Sequence, residues 1–190
     1  MKLIPASIRN DEPVTVHQAK QNSNITHDLD DQLIDALTST VREYVERDIG
    51  YITTQQQYIG YLGKFENIIK IPLRPIISID EIKYFDADGV EQTLEPSLYQ
   101  FSGVGIEPVL CPAPNNSWPQ VQEGRLQAIT ITMTAGHATR DLVPHTLKQA
   151  IKLLVSHFYE NRESTTQGIN VVEMPQGYEF LVQSFRKYHL

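Results

Sequence analysis

The sequence predicts an α+β fold, and three observations carry that prediction. Two long segments, near 28–49 and 144–162, repeat their apolar residues with a helical period. The stretch between them, 51–136, breaks into short β-branched or aromatic runs divided by Gly, Pro and Asp-Gly, and the chain closes on a third amphipathic pattern from Tyr178 to Phe185. Helices on both sides of a strand-rich middle imply one domain over 1–190: a small helical core with an antiparallel β region inserted at 51–136, ending in a helix and tail at 176–190.

Residues 1–14 read as an extended, polar lead-in that ends at Pro13. In "TVHQAKQN", Thr15 and Gln18 stand at capping-box spacing and open a short helix of about two turns. In "THDLDDQLIDALTSTVREYVERDIGY", Thr26 or Asp28 can cap, the first turn is acidic as the helix dipole prefers, and Gly50 is the stop. Leu33, Leu37, Val41 and Tyr44 form its stripe, widened by Ile34 and Val45. Arg42 with Glu46, and Glu43 with Arg47, read as solvated i,i+4 pairs on the polar side. From Tyr51 the period changes to that of strands: "YITTQQQYIGYL", "NIIKIPL", "IISIDEIKYFD", "VEQTL", "LYQFSG" and "LQAITITMTAG". Asp88-Gly89 marks a hairpin between two of these runs. Ile129, Ile131 and Met133 alternate with Thr130, Thr132 and Thr134, which predicts one buried and one wetted face. Pro72 and Pro75 confine their segment to an edge or a bend. Residues 107–124 carry four prolines and read as a loop or arm. Within it Trp118 is either a ring that tucks the loop onto the core or an anchor into a partner.

The helix after Pro144, extending to about Arg162, buries Leu147, Ile151, Leu154, Val155 and Phe158 on one stripe. Leu153 points away from that stripe among Gln149, Ser156 and Glu160. His157 and Glu160 are neighbours on the helix surface, with Glu163 a turn further on. Such a pair supplies two metal ligands at most, and a site needs at least three converging groups. His17, His27, His137, His145 and His189 are isolated, so a metal-dependent hydrolase built on His157 and Glu160 stands as the enzymatic alternative to a packing surface. No G-x-S-x-G, G-x-x-x-x-G-K-[ST] or H-E-x-x-H string occurs, and "GVG" at 103–105 is a turn. No catalytic residue, metal or cofactor is assigned.

Composition narrows the partners. With 190 residues, 41% of them hydrophobic and 21% charged, the chain can bury one ordinary core. No apolar run approaches the roughly 20 residues that span a bilayer, and the apolar stretch of "MKLIPASIRND" is too short for a signal-peptide core, so cytoplasmic synthesis without membrane association is expected. The single Cys111 excludes an intrachain disulfide and has no neighbouring cation in sequence to activate it. The net charge is −7 and the basic residues are scattered, which disfavours tight DNA binding.

Several strings in order, "PVTVHQAK", "DLDDQLIDALTSTVREYVE", "PLRPIISIDEIKYFDADGVEQTL", "SWP", "TAGH" and "VPHTLKQAIKLLVSHFYENRE", cover roughly 13–163. On these the chain resembles the head–tail connector (adaptor) proteins of long-tailed bacteriophages and prophages, a family that includes the adaptors of gene-transfer agents. Two departures are the polar first helix "AKQNSN" and the C-terminal "FLVQSFRKYHL". The resemblance implies a structural virion protein: a ring of twelve copies beneath the portal at the head–tail junction, made in the bacterial host's cytoplasm. It would extend the channel for double-stranded DNA without reading its sequence and join capsid to tail. Its partners would be the portal, through the C-terminal Phe185, Arg186, Lys187, Tyr188, His189 and Leu190; its own neighbouring copies; and the next head-completion (stopper) or tail protein. On the residues' own placement, the contact with a neighbouring copy is expected at Leu153, Gln149 and Glu160 on the helix and at Trp118 in the loop. A binding module outside phages, using the loop around Trp118, is a further alternative.

Overall fold

A computed structural model of the chain describes residues 1–9, 11–105, 107–161 and 175–186. The chain forms two compact units, one from Met1–Asn10 with Gln55–His137, the other from Asp11–Thr54 with Ala138–Leu190.

The first unit is built on β-strands, with one 3-10 turn at Pro96–Leu98. Its five-stranded antiparallel sheet has the order β1-β2-β8-β4-β5, from Lys2–Pro5 (β1), Gln56–Leu62 (β2), Ile129–Ala135 (β8), Ile76–Phe85 (β4) and Glu91–Thr93 (β5). Three shorter strands, Ile69–Lys70 (β3), Val109–Pro112 (β7) and Tyr99–Ser102 (β6), make a second sheet in the order β3-β7-β6. The alternation in the last run sets the core: Ile129, Ile131 and Met133 are fully buried, while Thr130, Thr132 and Thr134 on the opposite face are half-exposed. On the buried face Ile131 stands across from Gly60 on one side and Ile82 on the other. Asp88-Gly89 is the β4–β5 hairpin turn, and Gly89 takes φ +80°, a left-handed conformation that L side chains resist.

Two strands depart from the sequence reading. The polar lead-in pairs Lys2–Pro5 antiparallel with β2, and "VLCP" inside the proline-rich stretch is β7, paired with both β3 and β6. Each is four residues long at most, too short for alternation to register, and Pro5 and Pro112 sit at strand ends, where a missing N–H is tolerated.

The second unit is helical: Val16–Asn22 (α1), Asp31–Ile49 (α2), His145–Glu160 (α3) and Gln176–Val182 (α4), followed by a 3-10 turn at Gln183–Phe185. The expected capping box is present, with the Thr15 hydroxyl accepting from the Gln18 N–H and the Gln18 side chain accepting from the Thr15 N–H. Gly50 ends α2 in the left-handed conformation. One core joins the helices: Ile34, Val41, Val45 and Ile49 of α2, Leu147, Ala150, Ile151, Leu154 and Val155 of α3, and Tyr178 and Val182 of α4. Each of the Val, Leu and Ile side chains in it contributes about 1.5–3 kcal/mol by leaving water.

Three expectations about the helices need correction. The α2 stripe is rotated from the predicted one, so Leu33 is exposed while Ile49 and Thr38 are buried. Asp30, not Thr26 or Asp28, is the N-cap residue of α2, and the Asp28 carboxylate instead accepts a hydrogen bond from Lys20 Nζ, which also reaches Asp31 at 2.7 Å. Arg42 and Glu46 are not a solvated surface pair, since both are buried at 7% exposure. Glu46 Oε1 accepts from the Thr53 N–H at 2.7 Å and the Thr53 hydroxyl at 2.6 Å, and Arg42 Nε donates to Glu12 Oε2 at 2.8 Å. The i,i+4 spacing was visible, but the residues that close over it come from outside the helix: Glu12, 30 residues before Arg42, and Thr53, in the segment that follows the Gly50 stop.

Candidate functional site

The chain end expected to meet the portal is anchored by Asp48. An acid in the last turn of a helix opposes the helix dipole, and Asp48, two residues before the Gly50 stop, is held there by specific partners. Tyr178, fully buried on α4, donates its hydroxyl to Asp48 Oδ2 at 2.7 Å, and Arg186 Nη2 donates to the same oxygen at 2.9 Å. Arg186 also pairs with Glu179 at 2.5 Å, and the Phe185 ring meets Tyr51 edge-to-face at 5.3 Å. Burial, reinforced by the Asp48 carboxylate, raises the Tyr178 hydroxyl far above the usual tyrosine range, so it stays a proton donor at any physiological pH. Hydrogen bonds to Asp48 and then Glu179 raise the Arg186 guanidinium.

Phe185 and Arg186 are thus part of the folded helical unit. Lys187, Tyr188, His189 and Leu190, the rest of the expected portal-contact set, lie outside the described residues, as do Arg162 and Glu163. The one sequence signal for this anchor was the unfavourable placement of Asp48 itself. Its partners, 130 and 138 residues away, could not be read from spacing.

On α3, Gln149 and Glu160 are exposed. Leu153 is half-buried against the helical core, and a Cβ placed on Gly177 would approach its Cδ2 to 3.3 Å, so α4 takes part of the surface expected to face outward. Phe158 is the exposed end of its stripe at 37%. His157 is half-buried and meets Phe158 edge-to-face, with its Nε2 buried and without a hydrogen-bond partner among the described residues. Glu160 points to solvent beside it. No group of three His, Cys, Asp or Glu side chains among the described residues converges to hold a metal ion.

Trp118 is used inside the β unit. Its ring stacks on Phe65 at 4.6 Å with an interplanar angle of 6°, and its Nε1 donates to the Glu66 carbonyl at 2.7 Å. Both of its chemical handles, the face and the N–H, therefore have partners within the chain. Phe65 gave no sequence signal because it falls between strands, in "GKFEN". No helix among the described residues is long and apolar enough to cross a membrane.

No family model matches the sequence, and no curated protein matches it. Solved structures do. The chain is similar over 100% of its length to a chain in the neck of an empty gene-transfer-agent (GTA) particle computed with C6 symmetry, with a TM-score of 0.83 and 19% identity over 97% of that chain. A chain of the virion of the native particle follows at 0.81 and 19%, and one from the neck of the native particle computed with C12 symmetry at 0.80 and 18%, each covering 100% of this chain and 97% of the other. The α+β fold built here from helical core and antiparallel sheets is the fold of those gene-transfer-agent neck and virion chains.

Proposed function

We propose that this chain is a structural head–tail connector, a virion protein that forms a ring of twelve copies beneath the portal, lengthens the DNA channel and joins capsid to tail. The observation that supports it best is the end-to-end likeness to neck chains, including one from a neck computed with C12 symmetry. A ring acts by shape, so the role requires no catalytic group and no cofactor. Its partners are the portal, copies of itself, the next stopper or tail protein, and double-stranded DNA passing without sequence recognition. Synthesis is in the bacterial cytoplasm and the working location is the head–tail junction of the virion.

The net charge of −7 suits a channel component. An acidic wall offers DNA phosphates no release of counterions on contact, so DNA slides rather than sticks. Residues 187–190 carry the portal contact in this reading, directly after Phe185 and Arg186, which are held by Tyr51, Asp48 and Glu179. Between copies, exposed Gln149 and Glu160 make contacts, and Leu153 and Trp118 contribute the surface that their internal packing leaves free.

The test mixes the purified chain with portal-bearing heads that lack it. Electron microscopy should reveal a twelve-fold collar at the portal vertex and restored joining of tails. A chain that never gathers at the vertex, or heads that join tails equally well without it, would overturn the proposal.

A further inference from the structure

The helical unit, in an acidic chain, holds a groove whose two lysines have no carboxylate partner among the described residues. Near the end of α1, Asn22 and Ser23 bond the Ser156 hydroxyl at 2.9 and 2.6 Å and tie α1 to the last turns of α3. Toward the start of α3 a groove of about 580 Å³ lies between the two helices. From α3 it is lined by His145, Lys148 and Lys152, one helical stripe, and from α1 by the carboxamides of Gln18, Gln21 and Asn22. Asp141 is the one carboxylate among its lining residues. Neither lysine has a carboxylate partner among the described residues, although acids outnumber bases 23 to 16 in the chain. An amide-rich groove whose two lysines outnumber its one carboxylate fits a carboxylate-bearing segment.

The chain carries such a segment. From Tyr84 to Gly124 there are six carboxylates and no lysine, arginine or histidine. Three of them, Asp88 and Glu91 on the β4–β5 hairpin and Glu95 two residues beyond β5, are exposed and have no side-chain partner among the described residues. The hairpin is rigid: the Asp86 carboxylate accepts from the Asp88 and Val90 N–H groups and from the Gln92 side chain. A preorganised turn loses little conformational freedom on docking. Heterologous rings join two different patches of one subunit, and a groove whose basic side chains outnumber its one carboxylate and an acidic hairpin turn on the same chain are such a pair.

We propose that the α1/α3 groove receives the β4–β5 hairpin of a second copy, with Lys148 and Lys152 pairing with Asp88, Glu91 and Glu95. This rests on the ring reading above and specifies the contact between copies. The experiment assembles full-length chain on portal-bearing heads from an equal mixture of unlabelled and ¹⁵N-labelled protein, then joins contacting amines and carboxylates with a carbodiimide. Cross-links between heavy and light copies should connect Lys148 or Lys152 to the hairpin acids. The double substitution K148E/K152E should raise the concentration needed for assembly at least tenfold while the thermal midpoint stays unchanged, and adding E91K/E95K to the same chain should restore assembly. Rings whose lysines cross-link elsewhere, or assembly indifferent to charge reversal, overturn this contact and leave the connector reading standing. Intact rings that lose only their hold on DNA overturn it too, by assigning the lysines to phosphates. A wild-type chain that forms no ring removes both.

Discussion

At the scale of single residues, the buried Arg42–Glu46 pair shows how environment decides what a charge contributes. An exposed i,i+4 pair contributes a few tenths of a kcal/mol. Here the Arg42 guanidinium loses solvation, which pulls its pKa down, but hydrogen bonding to Glu12 and the charges of Glu46, Glu12 and Glu43 outweigh that loss and the net shift is upward. Glu46 also satisfies the Thr53 N–H and hydroxyl, so removing it strands three donors at once. Glu46→Ala should lower the unfolding free energy by about 3 kcal/mol in urea titration, the usual size for breaking a buried pair, whereas Glu43→Ala should change it by less than about 0.5 kcal/mol. Equal effects from the two substitutions would contradict the burial argument. Trp118 gives a parallel case in the β unit. Trp118→Phe keeps a ring to stack on Phe65 and loses only the hydrogen bond to the Glu66 carbonyl, at about 1 kcal/mol, while Trp118→Ala loses both and should be destabilised by about 3 kcal/mol.

At the scale of elements, helices are fixed by contacts at their ends as much as by their stripes. Lys20 on α1 clasps Asp28 and Asp31 at the start of α2. The hydrogen bond from Lys20 lowers the Asp28 carboxyl below its ordinary value of 3.8. A carboxyl lowered on folding stabilises the fold fully above its unfolded pKa, and that contribution disappears as pH falls through the lowered folded value. Carbon-detected NMR should therefore place the Asp28 midpoint below 3.8, and Lys20→Met should return it toward that value; a midpoint unmoved by the substitution would contradict the clasp. The α4 anchor behaves similarly. Asp48→Asn keeps the size of the side chain but removes the charge that holds Arg186 and accepts from Tyr178. Hydrogen exchange should then quicken at amides of Tyr178 to Val182, by about tenfold for each 1.4 kcal/mol of anchoring lost, with α3 amides unchanged.

At the scale of the whole molecule, what could be read from the sequence was whatever repeats locally. The 3.6 period of α3, the alternation of Ile129, Ile131 and Met133, the Thr15–Gln18 box and the Asp88-Gly89 turn each carry their structure within a few residues, and each is present. What stayed hidden depends on partners outside the local pattern: β1 and β7 are strands only because neighbours pair with them, Arg42 and Glu46 are buried because Glu12 comes back to α2 and the chain after Gly50 folds over it, and Asp48 has meaning only beside Tyr178 and Arg186. The candidate site was legible to the same degree, since the sequence pointed to the C-terminal end but could not tell that Phe185 and Arg186 serve as an anchor within the helical unit. That anchor changes how portal docking should be tested. Deleting Phe185 to Leu190 removes the Tyr51–Phe185 contact and both ion pairs of Arg186, so a loss of docking would be confounded with a loosened α4. Ending the chain after Arg186 keeps those contacts. This shorter deletion should leave the thermal midpoint unchanged and abolish attachment to portal-bearing heads, whereas the longer one should lower the midpoint by several degrees, as about 1 kcal/mol does in a chain of this size. Heads that still bind the chain ending at Arg186 would place the portal contact elsewhere, with the anchor at Asp48 then serving the fold alone.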